Sequence, residues 1–208
     1  MTATISLEYP FTGRWIAHNS PADRVPSHRT ELFATALAID FLPVDARGRT
    51  APVTLGSLVR PEPPERFTGF GRAVLAPADG VVVAVSGAAF DHPAYRGLPS
   101  IRYAATQRNR ISSGWKALAG NHVLIDCGGP GGGAIVALCH LRHGSIEVEI
   151  GQQLRSGERI GRCGNTGNST EPHVHIQAMD GPDPRTARPV PMTFKGSLPH
   201  NREIVDCR

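Results

Sequence analysis

The sequence is poor in several features that would have fixed its class at once. Aromatic residues make up 6% of its 208 positions. No segment approaches the ~18 consecutive apolar residues of a membrane-spanning helix, so no transmembrane segment is expected. Cysteine is scarce: Cys127, Cys139, Cys163 and Cys207 stand apart, with no C-x-x-C pair. That excludes a disulfide framework, and Cys127 and Cys139 read as small buried hydrophobes in strands. No H-E-x-x-H helix occurs, so the glutamate base of many zinc proteases is missing. Residues 1–10 lack both the basic start and the apolar core of a secretory leader. The expectation is therefore a cytosolic chain, or a mature one whose leader was removed, or one exported by another route.

Glycine (23) and proline (18) are plentiful, and apolar residues reach 40%. Such a chain turns often and favours short strands over long helices. The net charge of +4 and a pI near 9.2 suit an anionic partner such as a cell wall or nucleic acid. A scattered surface excess explains them equally well, and no nucleic-acid partner is expected.

Along the chain, residues 1–30 read as an irregular arm, residues 31–180 as one all-β domain, and residues 181–208 as a proline-rich tail. Residues 45–70 and 87–118 read as inserted loops. The latter carries Arg102, Arg108 and Arg110. Ala36 to Leu42 has the pattern of a strand. Ala38, Asp40 and Leu42 then share one face, with Leu37, Ile39 and Phe41 on the other. Val74 to Val85 reads as strand, turn, strand about Asp79-Gly80. Residues 121–126 and 134–141 read as a hairpin whose tip is the glycine run 128–133. That run lacks the G-K-[ST] ending of a phosphate loop. Ser145 to Ile160 reads as short strands and turns, and Pro172 to Ala178 as a final strand.

The chemistry concentrates in a few apolar strands. An acid such as Asp40 in an apolar strand is costly unless paired or bound to a metal. His173 and His175 lie two apart, so a strand directs both imidazoles to one face. His140 sits in the apolar strand Ile135 to Leu141. Imidazole and carboxylate are the donors a catalytic zinc takes, three at a time, leaving a position open. His18, His92, His143 and His200 read as solvated loop residues. His122 could face the same groove by alternation.

These residues carry a resemblance. Gly157-Glu158-Arg159-Ile160-Gly161-Arg162-Cys163-Gly164-Asn165-Thr166-Gly167-Asn168-Ser169-Thr170-Glu171-Pro172-His173-Val174-His175 resembles the signature G-x-x-I-G-x-x-G-N-T-G-x-S-T-G-P-H-L-H of M23 metallopeptidases, the lysostaphin/LytM-like family. Ala76-Pro77-Ala78-Asp79-Gly80-Val81-Val82, Gly120-Asn121-His122-Val123-Leu124-Ile125 and Cys139-His140-Leu141 are similar to its A-P-x-x-G-x-V, G-N-x-V-x-I and A-H-L motifs. The likeness runs from about Phe70 to Ala178. It implies an all-β fold, a folded antiparallel sheet forming a groove with zinc (Zn2+) at its floor. It implies a zinc endopeptidase acting on peptides, those of peptidoglycan cross-links in particular. Asp40 and His175 match the family's ligands, and His140 and His173 its two proton-handling histidines.

Two departures follow. The family's H-x-x-x-D motif needs histidine where this chain has Ala36, and Glu171 replaces a glycine. His28, twelve positions before Asp40, is the expected substitute for the missing ligand, brought back by a turn. Otherwise His122 or a water completes the site. Two further readings stay open: a degenerate binding or regulatory module, and a zinc enzyme repurposed for a small cytosolic substrate.

Overall fold

The computed structural model describes residues 4–128 and 133–207. The residues between 128 and 133, where the hairpin tip is expected, lie outside that set, as do the side chains of residues 107–109 with Arg108 among them. The strands are β1 (Ile5–Leu7), β2 (Gly13–His18), β3 (Ile39–Pro43), β4 (Ala73–Leu75), β5 (Gly80–Ser86) and β6 (Asn121–Asp126). They continue with β7 (Ile135–Leu141), β8 (Gln153–Leu154), β9 (Arg159–Arg162), β10 (Val174–Met179), β11 (Met192–Phe194) and β12 (Ile204–Cys207). Among the described residues, four short α-helices, α1 (Leu55–Val59), α2 (Leu98–Ala105), α3 (Gln107–Ser112) and α4 (Trp115–Ala119), fall in the two insertions, α4 running one residue past the second.

One antiparallel sheet dominates, in the order β12-β2-β3-β10-β7-β6-β5-β8. Its central strands β3, β10 and β7 are buried along their whole length. Alternation sorts their side chains onto two faces. Ile39, Phe41, Val136, Leu138, Val174 and Ile176 enter the main core, where Phe11, Trp15 and Phe194 also lie. The other face carries Ala137, Cys139 and Met179, packed with Leu124 and with Trp115 and Ala119 of α4. That second face is where Asp40 and His175 stand.

Three expectations need correction. The arm at 1–30 is not irregular: β2 pairs with β3 inside the large sheet, and β1 pairs with β11. The tail likewise supplies β11 and β12, the latter an edge strand beside β2. Proline and glycine break the local pattern in both segments, and distant partners supply the order. The expected strand Ala36 to Leu42 is shorter, because Leu32–Leu37 form a 3-10 helix and β3 begins at Ile39. The strand, turn, strand reading of Val74 to Val85 holds, as β4 and β5, but the two strands take different partners: β4 pairs with β9, while β5 joins the large sheet.

The insertions fold on one another. Glu62 and Ala94 exchange backbone hydrogen bonds of 2.9 and 2.8 Å, and the buried Glu62 carboxylate lies 2.7 Å from Arg96. Among the described residues no helix is long and apolar enough to cross a membrane.

Candidate metal centre and groove

Asp40 and His175 are cross-strand neighbours of β3 and β10. Register places them on one face of the sheet, and His175 Nδ1 lies 2.9 Å from Asp40 Oδ1. His28 arrives from the loop before β3, with Nε2 3.1 Å from Asp40 Oδ2. One donor atom from each of His28, Asp40 and His175 lies within 4.8 Å of the other two. Asn19, at the end of β2, donates to Asp40 Oδ2 at 2.7 Å.

Ser27 holds His28 there. It is fully buried, its N–H donates to Ala36 O at 2.9 Å, and its hydroxyl donates to Ala38 O at 2.7 Å. The loop is thereby fastened to the backbone just before β3. Position 36, lacking an imidazole, serves through its carbonyl. The turn between needs left-handed backbone at Phe33 and Ala34, both with φ of 59°.

The two inner nitrogens face the carboxylate because the outer ones are engaged. Ser27 Oγ, its proton given to Ala38, accepts from His28 Nδ1 at 3.0 Å. Gln177 Oε1 accepts from His175 Nε2 at 3.1 Å, and the Gln177 amide donates to Phe33 O at 2.9 Å, which fixes its orientation. With both outer N–H groups donating, His28 Nε2 and His175 Nδ1 donate to Asp40 when protonated and, once deprotonated, offer lone pairs beside its carboxylate. A point faced by two lone pairs and a carboxylate calls for a cation, and the donor set suits zinc. Burial opposes ionisation of Asp40. The imidazoles of His28 and His173, with the hydrogen bonds from His175 and His28, nevertheless hold its carboxyl well below the usual carboxylate range.

His140 and His173 stand beside this centre, their rings 4.6 Å apart. His140 Nδ1 donates to Thr166 O at 2.8 Å, and His173 Nδ1 to Glu171 O at 2.8 Å. In each ring that leaves Nε2 to the groove; His173 Nε2 is 3.7 Å from Asp40 Oδ1. Burial first, then the neighbouring His173 and His175, hold the His140 imidazole well below its ordinary range, so it is neutral near pH 7.

His140 reaches the groove by an irregularity. Strict alternation would send it into the main core with Val136 and Leu138. Instead its φ is +63°, and the β6–β7 register gains a residue on β7 between the pairs Asn121–Leu141 and Val123–Leu138. The bulge adds His140 to the groove beside Cys139, which alternation already places there, and returns Leu141 to the core.

The signature loop supports these histidines. Gly167 has φ +70°, and a Cβ there would meet Leu118 O at 2.4 Å, so only glycine lets the loop pack on α4. Glu171, the departure from the resemblance, turns its side chain away to accept from Thr50 at 2.7 Å. Its carbonyl is what orients His173.

The groove has a volume of about 350 Å³. Asp40, Cys139, His140, His173, His175 and Gln177 line its floor, and the helical insertion lines it through Tyr103, Arg110, Ile111, Trp115 and Leu118. His122 lies elsewhere, buried under α4 against Trp115 with Nδ1 donating to Gly120 O at 2.7 Å. His18 is half-buried and paired in register with Asp40 rather than solvated. His92 is likewise engaged, at 3.0 Å from Gly167 O. Asn19, Ser27, Thr166 and Gln177 support the site and were not singled out from sequence. The spacing of Gln177 two residues after His175 was the one local signal for any of them.

The chain is similar to several solved structures. The catalytic domain of a variant of the prophage-encoded M23 protein EnpA from Enterococcus faecalis shares 17% identity, with a TM-score of 0.42, over 74% of this chain and 73% of that one. The catalytic domain of the antimicrobial peptidase lysostaphin from Staphylococcus simulans shares 17% identity, with a TM-score of 0.41, over 77% and 80%. A zinc-containing peptidase from Vibrio cholerae shares 20% identity, with a TM-score of 0.37, over 74% and 48%. Residues 100–187 match the model of peptidase family M23; the match takes in His140, His173 and His175, while His28 and Asp40 lie outside it. Over residues 100–187 the chain is similar to peptidase family M23.

Proposed function

We propose that the chain is a zinc-dependent endopeptidase that hydrolyses peptide bonds, those of peptidoglycan cross-links being its substrate. The observation that carries the reading is the convergence of His28, Asp40 and His175 on one point beside two histidines with free Nε2 atoms. His28, Asp40 and His175 would hold the ion. Zinc supplies Lewis acidity there, polarising a peptide carbonyl and acidifying water. His140 and His173 handle the protons: one Nε2 takes a proton from the attacking water, and the pair then protonates the leaving amine and steadies the developing oxyanion. Each imidazole is oriented for this by its Nδ1 bond to a backbone carbonyl.

Ala36 favours one competing reading, a binding module that has lost its metal. Metal analysis of the purified protein, alongside digestion of purified peptidoglycan, separates the two. Bound zinc with release of wall peptides is the expected result. Absence of zinc overturns it in favour of the binding module, and zinc with an inert wall points to a small cytosolic substrate.

A further inference from the structure

Among the described residues, Arg110 is a cation without an anion. Its Nε donates to Asn168 Oδ1 at 2.7 Å, Nη1 to Thr106 Oγ1 at 2.6 Å and Nη2 to Tyr103 O at 2.7 Å. Its guanidinium also stacks 3.7 Å over the Tyr103 ring. Every one of these partners is neutral, and among the described residues Arg110 makes no ion pair. Fixing a long side chain costs rotamer entropy, which is spent here without neutralising the charge. A guanidinium carries five N–H donors, so one remains on each terminal nitrogen, in the plane that matches a carboxylate.

The surroundings reinforce this. Arg110 lines the same groove as the histidines, with Ile111 and Leu118 beside it. Arg24 and Arg29 line the groove from the loop that carries His28, and neither has an acidic partner among the described residues. Asp40 is the only acidic residue among those described that line the groove, and its oxygens are taken up by His28, His175 and Asn19. The lining is thus cationic over a floor whose single negative charge is already committed.

We infer that the groove selects peptides bearing a free carboxylate, with Arg110 as the specificity-determining residue and Arg24 and Arg29 attracting the same charge. The inference rests on the peptidase reading above. The insertion at 87–118 then has a stated role: it delivers an immobilised guanidinium to a groove whose catalytic floor comes from the sheet. Immobilisation in advance means that binding loses little further freedom.

The test uses three dansylated probes: pentaglycine amide, pentaglycine with a free C-terminal carboxylate, and the amide with one glycine replaced by glutamate. Binding is read by fluorescence with the full chain and with Arg110→Gln and Arg110→Lys, and hydrolysis is followed in parallel. Wild type is expected to bind at least one acidic probe roughly tenfold more tightly than the neutral amide, the scale of a charge-assisted pair. Arg110→Gln should bring that ratio close to one, the loss falling mainly on the acidic probes. Arg110→Lys, which keeps the charge but not the fork, should fall between. Equal binding of all three probes by wild type overturns the inference. So does a uniform loss across probes in Arg110→Gln, which marks Arg110 as only a support for the signature loop. Acid preference without hydrolysis sinks the peptidase reading alone, whereas hydrolysis without preference sinks this one alone.

Discussion

Asp40 and His175 are 135 residues apart in sequence and directly opposed in the sheet, with Oδ1 and Nδ1 separated by 2.9 Å. Neither depends on a flexible loop. Each is a strand residue whose neighbours, Ile39 and Phe41 on one side and Val174 and Ile176 on the other, are fixed in the main core. The packing of four apolar side chains therefore sets the spacing of the two polar ones. Such a site is preorganised by the fold rather than assembled on binding.

His28, Asp40 and His175 should separate from His140 and His173 in metal content. His28→Ala, Asp40→Ala and His175→Ala are expected to lower zinc affinity beyond the roughly 10–100-fold typical of losing an outer partner. His140→Ala and His173→Ala should stay within tenfold of wild type while losing turnover. Competition with a chromophoric chelator gives the affinities. Normal zinc binding by His28→Ala would return the third position to a water.

Gln177 positions His175 without touching the ion. Its Oε1 fixes the His175 tautomer, and its amide reaches Phe33 O in the turn that leads back to His28. Gln177→Leu is predicted to weaken zinc by roughly 10–100-fold. Gln177→Glu keeps the acceptor and should retain most of the affinity. An equal loss in both variants would show that packing, not the hydrogen bond, is what matters.

The positive φ of His140 makes a separate prediction about backbone. Glycine adopts φ +63° freely, whereas a β-branched residue resists it. His140→Val should therefore be less stable than His140→Gly by about 1–3 kcal/mol, although valine suits strands better by propensity. Both variants should be inactive. Urea denaturation of the two side by side decides it, and a more stable valine variant would mean that the bulge is not maintained.

Acid should destabilise the metal-free protein. The His140 imidazole is held below its ordinary value by burial and by His173 and His175, and that of His122 by burial. Each therefore binds its proton less readily folded than unfolded. Their contribution is fully present above the unfolded value of about 6.5 and is lost as pH falls through the folded one. Asp40 acts in the same direction, but only below the ordinary carboxylate value of 3.8. Urea midpoints for metal-free protein should thus fall from about pH 7.5 to 5, and His140→Gln and His122→Gln should each flatten the slope. An unchanged slope in both would contradict the assignment.

The sequence by itself determined the strands of the site and most of its chemistry. An acid in an apolar run, two histidines at strand spacing and the long signature at 157–175 are local patterns, and alternation converts them into a shared face. Other features are not local. His28 sits in a loop with no pattern of its own, and its place follows from Ser27 bonding to Ala36 and Ala38. The apolar rhythm of β7 points His140 into the core, and only the extra residue in its pairing with β6 turns it out. The first thirty residues and the tail look irregular because proline and glycine interrupt them, yet they supply β2 and β12 to the main sheet. A strand's period can be read along the chain, but its register, its bulges and the loops bound to its ends depend on partners far away in sequence, and those the tertiary structure decided.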